Sequence, residues 1–173
     1  MSALCQFSSV EDFWKFYTHI PKPSEVFFDG DCRKNVGSDP DNTRTVEEYS
    51  LFKKGIEPEW GDPLNINGGE WFCRQTLDPD VLDLYWQNLV LGVIGEVVED
   101  ACHSGDNNDG DYINGVRVLD KSRGFPMFKL EIWIKTKDEA IRNRIKTKLL
   151  EVITDGQPPT RKTHPKFDWK DHS

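Results

Sequence analysis

The sequence predicts an α+β fold in which helices cover one face of an antiparallel sheet, and three observations lead there. Segments of alternating polarity recur along the chain, helical periodicities arrive singly between them, and no regular βαβ rhythm links the two. The 173 residues, 36% of them apolar, suffice for a single domain with one core.

Ser9-Val-Glu-Asp12 opens the first helix, with Ser9 as N-cap and Val10, Phe13, Trp14 and Tyr17 at i, i+3, i+4 and i+7. Pro21 ends it. Residues 21–48 run through Pro, Gly, Asp, Asn and Ser and read as a long insertion loop. Asp78-Pro79 starts a second helix, with Asp as cap and Pro at the first helical position, and its apolar residues continue to Val98. Thr136-Lys-Asp-Glu139 has the spacing of a capping box, and Ile141, Ile145, Leu149 and Ile153 form one stripe of a third helix. Its Arg142, Arg144, Lys146 and Lys148 read as a solvated face. Strands are expected at 3–7, 49–53, 70–76, 113–121, 127–135 and 166–170.

Composition narrows the function. With 22 basic and 30 acidic residues the formal charge is −8, which argues against coating nucleic acid through bulk electrostatics; any such contact must be local. The longest apolar run, Leu89 to Gly95, is far below the roughly 20 residues that cross a bilayer, and no basic region leads into an apolar one at the N-terminus. A soluble, unsecreted protein is expected. Cys5, Cys32, Cys73 and Cys102 form no CxxC pair, so neither a zinc site nor a disulfide framework is supported and a reducing cytosol fits. The acidic Ser104–Asp111 loop misses the EF-hand register, and Cys102-His103 has no third partner. GxGxxG, P-loop, GxSxG and HExxH motifs are absent, and no cofactor is called for.

The most informative stretch is Tyr49–Trp71, which sets Trp60 in a loop of Pro, Gly, Asp and Asn. Pro58 and Pro63 limit the backbone around the indole, so it is either a stacking platform for a flat ligand or a lid folded onto the sheet edge. In Met127–Lys135, alternation sends Phe128, Leu130, Ile132 and Ile134 to the core and Lys129, Glu131, Trp133 and Lys135 to the other face. A Trp on that polar face is odd unless something packs on it. Arg117, Leu119 and Lys121 share a face of the preceding strand and Arg123 follows, so cations gather beside Lys129 if the two strands pair. Three or four such groups suffice for a short polyphosphate.

Together VEDFWKFYTHI (10–20), YSLFKKGIEPEW (49–60), NGGEW (67–71), DLYWQNLVLGVIGE (83–96), INGVRV (113–118) and KLEIW (129–133) resemble eukaryotic translation initiation factor 4E, the messenger-RNA cap-binding family. The likeness runs from Val10 to about Ile153 in the family's order. It implies a curved antiparallel sheet with three helices on its convex face, and a non-catalytic, monomeric, cytoplasmic factor. It also implies a site for 7-methylguanosine, whose cationic ring stacks between two tryptophans by cation–π attraction and offset stacking, each worth roughly 0.5–2 kcal/mol. By motif, Trp60 is similar to the second stacking Trp, Trp133 to the Trp that contacts the N7-methyl group, and Lys129 to a phosphate-binding Lys. Lys121 takes the place of the phosphate-binding Arg if INGVRVLDK is aligned without a gap, and Arg117 if it is shifted.

The chain departs from the family pattern in three places. The first stacking Trp belongs upstream of the strand preceding VEDFW, and only nine residues precede that motif here; either the chain is trimmed, or Phe27 or Phe28 takes over. Gly61 stands where the guanine-recognising Glu directly follows the stacking Trp, which weakens selection for guanine unless Asp62 or Glu70 supplies the acceptor. The insert Ser122–Phe128 lengthens the loop after Lys121 and carries Arg123 towards the anion site or away from it. On the convex face the resemblance implies that Val10, Trp14 and the helix bearing Trp86, Leu91 and Gly95 dock an amphipathic helix of initiation factor 4G or of a repressor with a Y-x-x-x-x-L-Φ motif. Gln87 and Asn88 replace the Leu and Glu usual there.

Overall fold

The computed structural model describes residues 3–27, 35–36, 44–100, 102, 111–123, 125–155 and 164–172. Its helices are α1 (Val10–Tyr17), α2 (Pro23–Phe27), α3 (Pro79–Ile94), α4 (Val97–Asp100) and α5 (Glu139–Ile153). Its strands are β1 (Asn35–Val36), β2 (Arg44–Thr45), β3 (Glu48–Phe52), β4 (Gly69–Gln75), β5 (Ile113–Asp120), β6 (Phe128–Ile134) and β7 (Asp168–Asp171). β1 and β2 form a small ribbon, while the other five build a curved antiparallel sheet in the order β3-β5-β6-β4-β7. The α+β expectation holds.

Register explains the core. Val116 pairs with Ile132 and Val118 with Leu130, while Trp71 and Cys73 of β4 face the same two β6 residues, so one sheet face is continuously apolar. Against it lie Leu82, Leu89 and Val90 of α3 and Ile145, Leu149 and Ile153 of α5, all buried. Polar ties orient the helices: the Trp71 indole donates to the Arg142 carbonyl at 2.8 Å, and the Asn88 amide donates to the Ile153 carbonyl at 3.0 Å. Ser9 caps α1 by accepting from the Asp12 N–H at 3.1 Å.

Five local expectations change. Residues 3–7 form no strand; Phe7 packs its ring on Phe13 at 5.2 Å, so the segment docks by side chains, and the β3 edge has no strand partner among the described residues. The second helix stops at Ile94, where Gly95 caps it and Glu96 turns left-handed at φ 59°, before α4 resumes. Asp138, not Thr136, caps α5 by accepting from the Ile141 N–H at 3.0 Å. The α5 cations are not all solvated: Arg142 lies 4.9 Å over Trp169 and Lys146 4.4 Å over Trp71. Within the 21–48 loop, α2 forms because the Ser24 N–H and hydroxyl both donate to Asp83, at 2.9 and 2.6 Å, and Phe27 sinks into the core against Phe128. Phe27 is fully buried and is no substitute stacking ring; Phe28 lies outside the described residues.

Candidate functional site

The loop after β3 is held by its own polar groups. Asp62 accepts from the Glu57 and Leu64 N–H groups at 2.9 and 2.8 Å. Buried Asn65 donates to the Glu57 and Glu59 carbonyls at 2.8 and 3.0 Å and accepts from Asn114 of β5 at 2.9 Å. The Asp and Asn residues that look like turn formers therefore fasten the loop to the sheet. Trp60, 41% exposed, lies over the C-terminal strand: its ring is nearly parallel to that of His172, at 5.9 Å and 16°, and the Lys170 ammonium sits 3.7 Å from its centroid. Of the two sequence alternatives, the lid on the sheet edge is the arrangement observed.

Beneath the loop, the face that alternation assigns to solvent is sealed. Trp133 is only 1% exposed, covered by Phe52 edge-on at 5.3 Å, by His172 at 4.3 Å and by the Arg117 guanidinium at 5.4 Å. Its indole donates to Glu131 at 2.8 Å. What packs on this Trp comes from within the protein.

The cations are largely committed as well. Lys129 donates to Glu70 at 2.8 Å and to Glu131 at 2.5 Å, while Arg117 pairs with Glu48 and lies 3.7 Å from Glu131. His172, fully buried, approaches the other oxygen of Glu70 at 3.3 Å and the Asn65 carbonyl at 3.1 Å. These contacts form one chain from edge to edge of the sheet, from Glu48 on β3 through β5, β6 and β4 to the end of β7. Burial pushes the Glu70 carboxyl up, but the hydrogen bonds and charges of His172 and Lys129 outweigh it and hold it below its ordinary value. Lys121 and Arg123 make no ion pair among the described residues, and Arg123 is exposed.

On the helical face, Val10 and Trp14 of α1 are 61% and 41% exposed. Leu91 is half-buried and borders a shallow cleft with Asn88 and Val97, and Gly95 is exposed at the end of α3. Trp86 is buried in the core, where it lines a cavity with Phe13, Tyr17 and Leu51.

The family model for eukaryotic initiation factor 4E matches residues 1–173. This chain belongs to the initiation factor 4E family. It is 31% identical over 152 residues to translation initiation factor 4E-3 of Caenorhabditis elegans, covering 85% of this chain and 48% of that protein. It is 30% identical over 147 residues to factor 4E of Saccharomyces cerevisiae, covering 85% and 56%. The chain thus spans about half the length of the curated relatives it matches. Among solved structures, C. elegans factor 4E-3 bound to the 4E-binding protein Mextli matches with TM-score 0.70 at 26% identity, over 99% of this chain and 80% of that one. Ascaris suum factor 4E-3 in complex with the m2,2,7G cap matches with TM-score 0.69 at 29% identity, over 96% and 76%.

Within this 4E-family chain, the structure gathers Trp60, Glu70, Arg117, Lys129 and Trp133 on the concave side of the sheet and ties Asp62 into the loop beside them. Three corrections follow. Trp133 is a buried floor rather than an exposed ring. Arg117 and Lys129 are already paired with carboxylates, which leaves Lys121 and Arg123 as the cations without such partners among the described residues. Asn88, expected at the partner surface, is spent on holding the end of α5. Sequence reading missed His172 and Lys170. Lys170 closes the expected 166–170 strand and pairs with Glu70 in register, and extending that alternation by two residues would have reached His172, whose N–H donates to the Gly68 carbonyl at 3.1 Å.

Proposed function

We propose that this chain binds the 7-methylguanosine cap of messenger RNA, without turnover, and recruits it to translation initiation through its convex face. The supporting observation is Trp60, a half-exposed indole at the mouth of the concave face with a cation 3.7 Å over its ring, the interaction a methylated guanine would make. In this reading Trp60 stacks on the base, Trp133 underlies the methyl group, and Glu70 accepts from the guanine edge, because both Asp62 oxygens hold the loop. Lys121 and Arg123 meet the phosphates first. Lys129 and Arg117 contribute by exchanging carboxylate partners. The exposed pair Val10 and Trp14, with Leu91 and Gly95, receives an amphipathic helix from initiation factor 4G or a 4E-binding repressor. The chain works as a monomer in the cytoplasm, and among the described residues no helix is long and apolar enough to cross a membrane.

A second reading is a 4E-like interaction protein that sequesters partners and binds cap weakly. It is favoured by the neutralised Arg117 and Lys129 and by Gly61 in place of an acid. Titration with 7-methyl-GTP and, separately, GTP, following tryptophan fluorescence, separates the two. A strong preference for the methylated nucleotide is expected for a cap binder. Equal, weak or absent quenching by both would reject cap binding and leave the helix-docking face as the chain's function.

A further inference from the structure

We infer that the C-terminal segment carries an internal stand-in for the cap: His172, aided by Lys170, occupies the cation-accepting position on Trp60 and Glu70, and a methylated base binds only by displacing it. The inference rests on the proposed cap-binding reading and concerns how that same site is regulated.

Three features of His172 match what a methylated guanine would present. It is a flat ring, nearly parallel to Trp60 at 16° and 5.9 Å, and it also meets Trp133 at 4.3 Å, so it fills the space between the two indoles. It points a ring nitrogen at Glu70, where a guanine N–H would donate. Its two nitrogens face two acceptors, the Asn65 carbonyl and the Glu70 carboxylate, and only the doubly protonated, cationic ring can donate to both.

Charge makes the same case. The edge-to-edge network holds three carboxylates, Glu48, Glu70 and Glu131, against Arg117 and Lys129, so it is one positive charge short without His172. A ligand that removes the imidazolium must bring a positive charge or leave Glu70 undercompensated in a buried setting. A 7-methylated purine brings one and an unmethylated purine does not. Lys170 adds a second cation that the ligand must move off the same indole.

Displacing the ring breaks its contacts with the Asn65 carbonyl, Glu70 and Trp133 at one edge of the sheet. Trp60 sits in a loop outside the sheet, and β7 is the edge strand beyond β4. The competitor therefore lowers apparent affinity by the fraction of time the site is open, without altering the contacts made once the base is in.

The test compares the wild-type chain with His172→Ala and Lys170→Ala. Acrylamide quenching without ligand, with Trp60→Phe used to assign the Trp60 share of the emission, reports whether the stack exists. Titration with 7-methyl-GTP and GTP reports competition. We expect Trp60 to become more accessible in both variants, and His172→Ala to bind 7-methyl-GTP about tenfold more tightly, equivalent to about 1.4 kcal/mol. Both nucleotides displace the same closed state, so the preference over GTP should stay as it is. Lys170→Ala, a change on the exposed strand edge, should shift both readouts the same way by a smaller factor, which guards against a His172 variant that simply unfolds. Unchanged Trp60 accessibility, or unchanged or weaker 7-methyl-GTP binding by both variants while the wild type binds, would overturn the inference and leave cap recognition standing. Absence of 7-methyl-GTP binding by all three proteins would reject the cap-binding reading and this inference with it.

Discussion

At the scale of single residues, Glu70 is the most consequential side chain of the concave face. It is fully buried and joins Lys129 to His172. Glu70→Ala should destabilise the fold by about 3 kcal/mol, the low end for breaking a buried ion pair, because Lys129 keeps Glu131 while His172 loses its carboxylate. Urea denaturation monitored by circular dichroism measures this. The Glu70 carboxyl is held below its ordinary value in the folded state, so its stabilisation is present above that value and disappears as pH falls through the lowered one. The wild-type urea midpoint should therefore drop as pH falls below the ordinary carboxyl value of 4.5, and Glu70→Gln should flatten that slope. Cys73, buried and with its thiol pushed up to about 12, should resist iodoacetamide at about pH 8 in the native protein and react only after unfolding, as mass spectrometry of the labelled peptides would show. Much of this chemistry was legible in outline. Alternation alone put Lys129, Glu131 and Trp133 on one face. Their partners were not legible, because Glu70 and His172 reach them through strand pairing across long stretches of sequence.

Among the elements, the strongest constraint is where β4 begins. A Cβ on Gly68 would lie 1.9 Å from the Ile134 carbonyl oxygen, and backbone cannot yield as a flexible side chain can. Gly68→Ala should cost about 1–3 kcal/mol by overpacking, read as a fall in thermal midpoint. The end of α3 offers the opposite case. Its glycine stands at position 95, one residue before the left-handed position, so Glu96 carries the strain at φ 59°. Glu96→Gly should stabilise the protein by about 1 kcal/mol, the order of the left-handed penalty for a residue with a side chain. All three helices with clear apolar periodicity were found from sequence, and five of the six expected strands form, while the short β1 and β2 were not expected. The 3–7 strand failed because period-two polarity records burial and says nothing of a hydrogen-bonding partner. The break after Ile94 was hidden because apolar residues continue through Val97 and Val98.

Across the whole molecule, two exposed indoles sit on opposite sides of the sheet, Trp60 on the concave side and Trp14 on the helical side. If Trp14 serves partner docking, Trp14→Ala should weaken binding of a Y-x-x-x-x-L-Φ peptide at least tenfold, with a loss of at least 1.4 kcal/mol. Calorimetry should show 7-methyl-GTP binding unchanged in the same variant. Curvature, helix placement and both faces followed from the motifs; the sealing of the concave face did not, because Phe52, Asn65 and His172 reach it from three separate parts of the chain. That sealing also bears on exchange of backbone protons with solvent. β5 and β6 are paired on both sides and covered on both faces, so their amides should exchange only when the whole sheet comes apart. The 53–68 loop and β7 border solvent and should exchange through small local openings. The floor under Trp60 thus belongs to the slowest part of the protein and the cover over it to one of the fastest, so the concave site can open and close many times within one lifetime of the fold.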